Sequence, residues 1–361
     1  MSTGWWKTLT GERAAPQPEA RPALPLQIES AGLCCAVGYH LRAAACAIRT
    51  NMDHFQDSEF RTETGRPVIV GRLPDKDCWG TERVARWLVR AVSDCLRDHA
   101  HFEPGRTALV VLGPEFERPD MTDESYWDII TAATIQLGMR FHDSSRILPL
   151  GKAGLAQALQ YAGECLAAPD IDGVILAAGD SLLNVAAIEH FLAQERLFIP
   201  GNRDGFLPAE GAAALLLRRA GAAQAGASIT GYGQATEAGL WDGTMPNRAM
   251  GLSDAVRGAC AQAGIAPHEL AFRASDQNGE SWLSREGSNA FTRVMAGGPQ
   301  LAHLTLADKL GEIGAATGIA ALAYLSLVMP RADCSPGAAG VVHLSNDNGL
   351  RCAVIVQQQA T

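Results

Sequence analysis

Residues 306–329 constrain this chain more than any other stretch. They read LADKLGEIGAATGIAALAYLSLVM, and Pro330 follows. A charged lead (Asp308, Lys309, Glu312) gives way to a run that is apolar on nearly every side. Proline stops the run, because it lacks an amide proton and its ring clashes with the preceding turn. A helix apolar all round has no face to offer water, so it belongs inside a core. A membrane span is the second reading, but the run is at the short limit of length and contains Thr317 and Ser326. Gly314, Ala315, Ala316 and Gly318 at its entrance leave room for another backbone to come close.

The chain around that helix can bury it. A length of 361 residues gives about two domains, or two halves of one large fold. With 47% hydrophobic and 19% charged residues, the composition supports a sizeable core and excludes disorder. The net charge of −9 argues against non-specific nucleic-acid binding and against an anionic membrane surface. Nine cysteines are an odd count, with no CxxC and no Cys/His pairing at zinc spacing. They lie mostly in apolar runs, as small core residues in a reducing compartment do. No metal and no cofactor are expected. The start of the chain has neither the basic nor the apolar part of a signal peptide, so the expected location is cytoplasmic.

Prolines 16, 18, 22 and 25 make residues 1–25 an extended tail, in which Trp5 and Trp6 could dock on the body of the protein. From residue 26 onward, strands and helices alternate. Residues 26–48 read as a first strand, a glycine turn and a short helix, and further strands are expected near 67–73, 107–113, 146–150, 173–179, 212–218, 227–232, 339–344 and 351–356. Helices are expected from Thr81 (as cap), from Thr122, and over 152–168, 252–264, 281–296 and 314–329. In the helix after Thr81, Val84, Trp87, Leu88, Ala91, Val92 and Cys95 share one face, and Arg83, Arg86 and Arg90 fall on the solvated rest. The last two strands, joined by Asn346-Asp347-Asn348-Gly349, read as a hairpin. This alternation calls for α/β layers.

Three runs resemble the β-ketoacyl synthases of the thiolase superfamily. The most specific is Arg203-Asp204-Gly205-Phe206 continuing to Glu210-Gly211-Ala212-Ala213, similar to that family's Arg-Asp-Gly-Phe-x-x-x-Glu-Gly-Ala-Ala. Ile229-Thr230-Gly231-Tyr232-Gly233 resembles the first strand of its second half. Gly311 and Gly314-Ala315-Ala316-Thr317-Gly318 resemble its Lys-x-x-x-Gly-His and Gly-Ala-Ala-x-Gly run. The resemblance covers roughly 26–357. It implies a five-layered αβαβα thiolase-like fold of two similar halves, 26–223 and 224–361.

It also locates the catalytic positions. The family's nucleophilic cysteine falls at Gly151, and no cysteine, serine or threonine lies from 147 to 164. Cys165, at the far end of the following helix, reads as packing. The first histidine falls in the loop 274–280, which contains Asp276 and Glu280 but no histidine. Glu286 stands where the family has a helix glutamate. The second histidine falls at Glu312, the lysine at Ala307, and the glycine-rich gating loop at 344–350 with Asn348. Without a thiolate there is no acyl-enzyme, and without imidazoles nothing neutral polarises a thioester carbonyl. Gly151, Lys152, Asp276, Glu312 and Asn348 are then the positions of a vestigial pocket with no catalytic residue. Two readings of Glu312 stand side by side: a base in that pocket, or a structural partner of Lys152 or Lys309. Asp180-Ser181 reads as a loop or helix-capping pair.

The resemblance therefore implies a non-catalytic binding or assembly protein. Possible roles are a partner of an active ketosynthase, or an adaptor such as a type VI secretion accessory that helps load an effector. A homodimer is expected, with strand 146–150 crossing its axis. The alternative is an acyl-thioester transferase or hydrolase that uses carboxylates, acting on acyl-ACP or acyl-CoA.

Overall fold

The computed structural model describes residues 25–75, 77–99, 102–219 and 226–359. The expected tail, apart from its last residue, and the expected boundary at 223/224 lie outside these residues. In chain order the elements are β1 (Leu26–Cys35), α1 (Leu41–Arg49), β2 (Phe55–Arg61), β3 (Pro67–Gly71), α2 (Gly80–Leu96), β4 (Thr107–Gly113), α3 (Asp123–Leu137) and β5 (Arg146–Pro149). Next come α4 (Leu155–Ala167), β6 (Gly173–Ser181), α5 (Val185–Ala193), β7 (Glu210–Arg219), β8 (Gly226–Thr236), α6 (Met250–Ala263) and β9 (Phe272–Ser275). The chain continues with α7 (Ser281–Met295), β10 (Ala302–Thr305), α8 (Ala307–Leu310), α9 (Thr317–Val328), β11 (Ala339–Ser345) and β12 (Leu350–Gln359).

The same strand pattern is built twice. One set runs β5-β4-β6-β7-β1 and the other β10-β9-β11-β12-β8. β1 pairs antiparallel with β7, β7 antiparallel with β6, and β6, β4 and β5 run parallel; β8, β12, β11, β9 and β10 repeat this pattern. The sets meet where Leu26 and Gln27 pair with Ile229 and Ser228. Helices α2 and α3 cover one outer face and α6 and α7 the other, while α4 and α9 lie between the two sets. This is the five-layered αβαβα arrangement.

The apolar run of residues 317–328 is the centre of it. Ile319, Ala320, Leu322 and Ala323 have no exposed surface, and each buried leucine or isoleucine contributes about 1.5–3 kcal/mol. The stretch 306–329 is two helices rather than one. Gly311, at φ 77°, ends α8 and turns the chain through Glu312 before α9 begins. What comes close at the entrance of α9 is mostly not backbone: an added Cβ on Gly314 would lie 1.9 Å from Asp180 Oδ2, and one on Gly318 2.5 Å from Leu344. Among the described residues, no helix is long and apolar enough to cross a membrane.

Two local expectations change. Trp79, not Thr81, precedes α2, and no side chain caps that helix. Arg83 is not solvated: it is 3% exposed, and its guanidinium grips Glu210 through Nε at 2.8 Å and Nη2 at 2.6 Å. Thr122 does cap α3, in a reciprocal pair with Ser125. The nine cysteines are all free, and Cys165 is buried on α4.

Candidate functional site

The loops after β4, β5, β9 and β11 meet at the entrances of α4 and α9: Gly151 N–H bonds Gly113 O, Asn346 bonds Ala153 and Leu150, and Lys152 reaches Asp276 and Glu312. Loops at the carboxyl ends of parallel strands are where α/β folds place ligands. Here they line a cavity of about 160 Å³, whose wall includes Glu115, Lys152, Phe206, Trp241, Glu312 and Asn348. Gly151 and Asp276 lie beside it, so the predicted pocket positions do come together.

Gly151 adopts φ 65°, ψ −175°, a conformation that favours glycine. A Cβ there would lie 2.3 Å from both Cδ and Oε1 of Glu115. Any side chain at this position, a cysteine included, therefore collides with Glu115 unless that residue moves. Burial pushes the Glu115 carboxyl up to about 7. Arg118 and Lys152 pull in the opposite direction, while Asp347 adds to the rise. No sequence motif marked Glu115; it lies in the charged loop after β4.

Lys152 sits between two carboxylates, with Nζ 3.0 Å from Glu312 Oε2 and 3.3 Å from Asp276 Oδ2. Burial alone would depress the lysine, but the carboxylates of Glu312 and Asp276 outweigh it and hold the ammonium above its ordinary value. Burial raises the Asp276 carboxyl, against the pull of Lys152. Glu312 also accepts from Asn278 Nδ2 at 2.8 Å and from the Gly314 N–H at 3.0 Å. It is thus tied to Lys152; Lys309 pairs with Asp308 instead.

The same motif recurs twice nearby. Arg196 bonds Glu280 in bidentate fashion (2.7 and 3.0 Å) and also Asp347 (2.6 and 3.1 Å). Arg118 does so with Asp180 (2.8 and 2.7 Å) and Asp120 (2.6 and 3.0 Å). Asp180 is not in a loop: it is the last residue but one of β6, and its Oδ2 accepts the Ala315 N–H at 2.8 Å. Asn346 fixes the turn after β11 to the elbow before α4, accepting from Ala153 N and donating to Leu150 O, both at 2.7 Å. Glu286 pairs away from the cavity with the fully buried Arg351.

Oxyanion stabilisation needs N–H groups aimed at an empty position. The Gly151 N–H instead donates to Gly113 O at 2.9 Å, and the N–H groups opening α9 are taken by Glu312 and Asp180. A serine–histidine pair does exist elsewhere, Ser275 Oγ to His303 Nε2 at 2.7 Å. Arg273 Nη2 faces His303 Nδ1 at 3.3 Å. Since guanidinium only donates, Nδ1 accepts and Nε2–H donates to the serine, so His303 cannot take the hydroxyl proton. Among the described residues, no group of three or more His, Cys, Asp or Glu side chains could hold a metal ion.

No protein-family model and no curated protein matches the sequence. Solved structures do match the fold, and the ones they match are ketosynthases. A type II polyketide ketosynthase, solved in complex with its acyl-carrier protein, aligns with TM-score 0.77 at 16% identity, covering 94% of this chain and 100% of that one. The ishigamide ketosynthase/chain length factor aligns at 0.75 and 17%, covering 94% and 100%. A β-ketoacyl synthase from Burkholderia phymatum aligns at 0.69 and 18%, covering 93% and 100%.

Proposed function

We propose that this chain is a non-condensing protein of ketosynthase fold that acts by binding a protein partner. The observation that carries this reading is the Glu115 carboxyl, which stands where a nucleophile on residue 151 would need space. The triads around Lys152, Arg118 and Arg196, buried but for Asp347, support it, because they occupy the donors a thioester carbonyl would use. Several solved proteins of this fold are ketosynthases paired with chain length factors. By analogy, the partner is a second copy of this chain or a ketosynthase, approaching the outer edge of β5. An adaptor that helps load a type VI secretion effector fits the same reading, and a cytoplasmic location belongs with it.

One observation favours a second reading, an acyl-thioester hydrolase or transferase. A carboxyl that titrates near 7 beside a cavity is poised for general base work. The two readings separate by intact mass and thioester turnover after incubation with acyl-CoA and acyl-carrier protein, together with light scattering of the purified chain alone and with a candidate ketosynthase. No adduct, no turnover and a defined complex support the binding protein. Turnover that is lost in Glu115→Gln refutes it.

A further inference from the structure

The charge around the cavity is unbalanced. Each of its cations is shared between two carboxylates: Arg118 by Asp120 and Asp180, Lys152 by Asp276 and Glu312, and Arg196 by Glu280 and Asp347. Glu115 and Glu117 line the same cavity and ion-pair with none of the described residues. The N-terminal ends of α4 and α9 offset part of this surplus. The remainder is negative potential, focused by apolar walls. Gln194 also lines the cavity, and its Oε1 is buried with no donor in reach. Phe191, Phe206 and Trp241 supply ring faces, which attract cations; Arg196 already lies against all three, its Cζ 5.3, 5.8 and 4.5 Å from their centres.

We infer that this cavity binds an alkylammonium or guanidinium group, held by the Glu115 carboxylate and Gln194 Oε1 beside the Trp241 ring. An amide oxygen without a donor, surplus negative charge and an aromatic wall are what a cation requires and what an acyl chain does not. The inference rests on the reading that the cavity no longer takes an acyl thioester. The group can come from a free amine or from a lysine or arginine side chain of a docking protein.

The test is calorimetric titration of the full chain at low salt in an amine-free buffer at pH 8. The probes are cadaverine, agmatine, capped tripeptides with a central lysine or arginine, and neutral 1-pentanol. Saturable binding of a cationic probe and none of pentanol is the expected result. Affinity falls at least tenfold in Glu115→Gln and in Gln194→Met, each first shown to be folded by its melting curve, and is unchanged in Glu124→Gln on the exposed start of α3. Binding of the amines alone points to a small molecule; binding of a tripeptide points to a partner's side chain. No saturable binding of any cation, equal binding of pentanol, or full affinity in both cavity variants overturns the inference. An acyl adduct in the mass assay overturns the proposed function. Lack of cation affinity without an adduct overturns the cation site alone.

Discussion

Replacing Glu115 by glutamine tests the electrostatics of the cavity directly. In the unfolded chain a glutamate titrates near 4.5, and in the folded protein burial lifts Glu115 to about 7. One pKa unit corresponds to about 1.4 kcal/mol, so ionising this carboxyl in the folded state costs at most roughly 3 kcal/mol. The residue is half-buried, and solvent contact reduces the figure to about 1–3 kcal/mol. The sign follows from proton binding. Between about pH 4.5 and 7 the native state holds a proton that the unfolded state has lost, so stability falls as pH rises through that window and stays lowered above it. Glutamine has the same shape and no charge, so the variant escapes this loss. Urea unfolding of both proteins in amine-free buffer from pH 4.5 to 8.5 gives the difference in stability, in which titrations common to both cancel. The advantage of Glu115→Gln should grow by about 1–3 kcal/mol across the window and then level off. A difference that is flat with pH, or that shrinks as pH rises, would refute the reasoning.

Other perturbations follow from the same geometry. Gly151→Ala should destabilise by more than the roughly 1–3 kcal/mol of backbone strain, and Glu115→Ala in the same chain should recover the steric share, measured as coupling in a double-mutant cycle of urea denaturations. Lys152→Met leaves Glu312 and Asp276 facing each other without a cation and should cost about 3–5 kcal/mol at neutral pH; a loss within 1 kcal/mol would mean the pair is solvated. His303 should titrate near 4 by NMR, because burial first and then Arg273 lower it, so its contribution to stability is lost as pH falls from about 6.5 through 4. Arg273→Gln should raise that midpoint only in part.

The layers were legible in the sequence because apolar runs such as 107–113, 173–179 and 317–328 report burial directly, whatever lies around them. Gly151, Lys152, Asp276 and Glu312 were legible as a group only through the resemblance, which supplied the register that periodicity lacks. Glu115 was not, because a glutamate in a charged loop looks solvated until the elbow closes over it. Arg83 was misjudged for a related reason. Helical spacing puts it beside exposed arginines, and only Glu210, far along the chain, makes its burial affordable. The short strands β9 and β10 and the helix α5 were missed, since four-residue strands and a nine-residue helix give too few periods to count.

The triads also bear on what this cavity can become. A buried ion pair is weak evidence for stability, but removing one member leaves a charge in a place water cannot reach. Lys152, Arg118 and Arg196 each tie together loops from different parts of the fold: the elbow before α4, the loop after β4, the loop before α9 and the turn after β11. Introducing a thiol by Gly151→Cys would therefore meet two obstacles. The side chain would strike Glu115, and a thiolate would enter a field already short of positive charge, which raises its pKa and suppresses the reactive form. Pairing Gly151→Cys with Glu115→Ala removes the first obstacle only. The double variant should fold, yet its thiol should react with iodoacetamide no faster at pH 7 than a free cysteine does. A thiol in it that reacts faster, with an apparent pKa below 8, would mean that the two helix N-termini dominate the local potential and that the surplus of carboxylates does not.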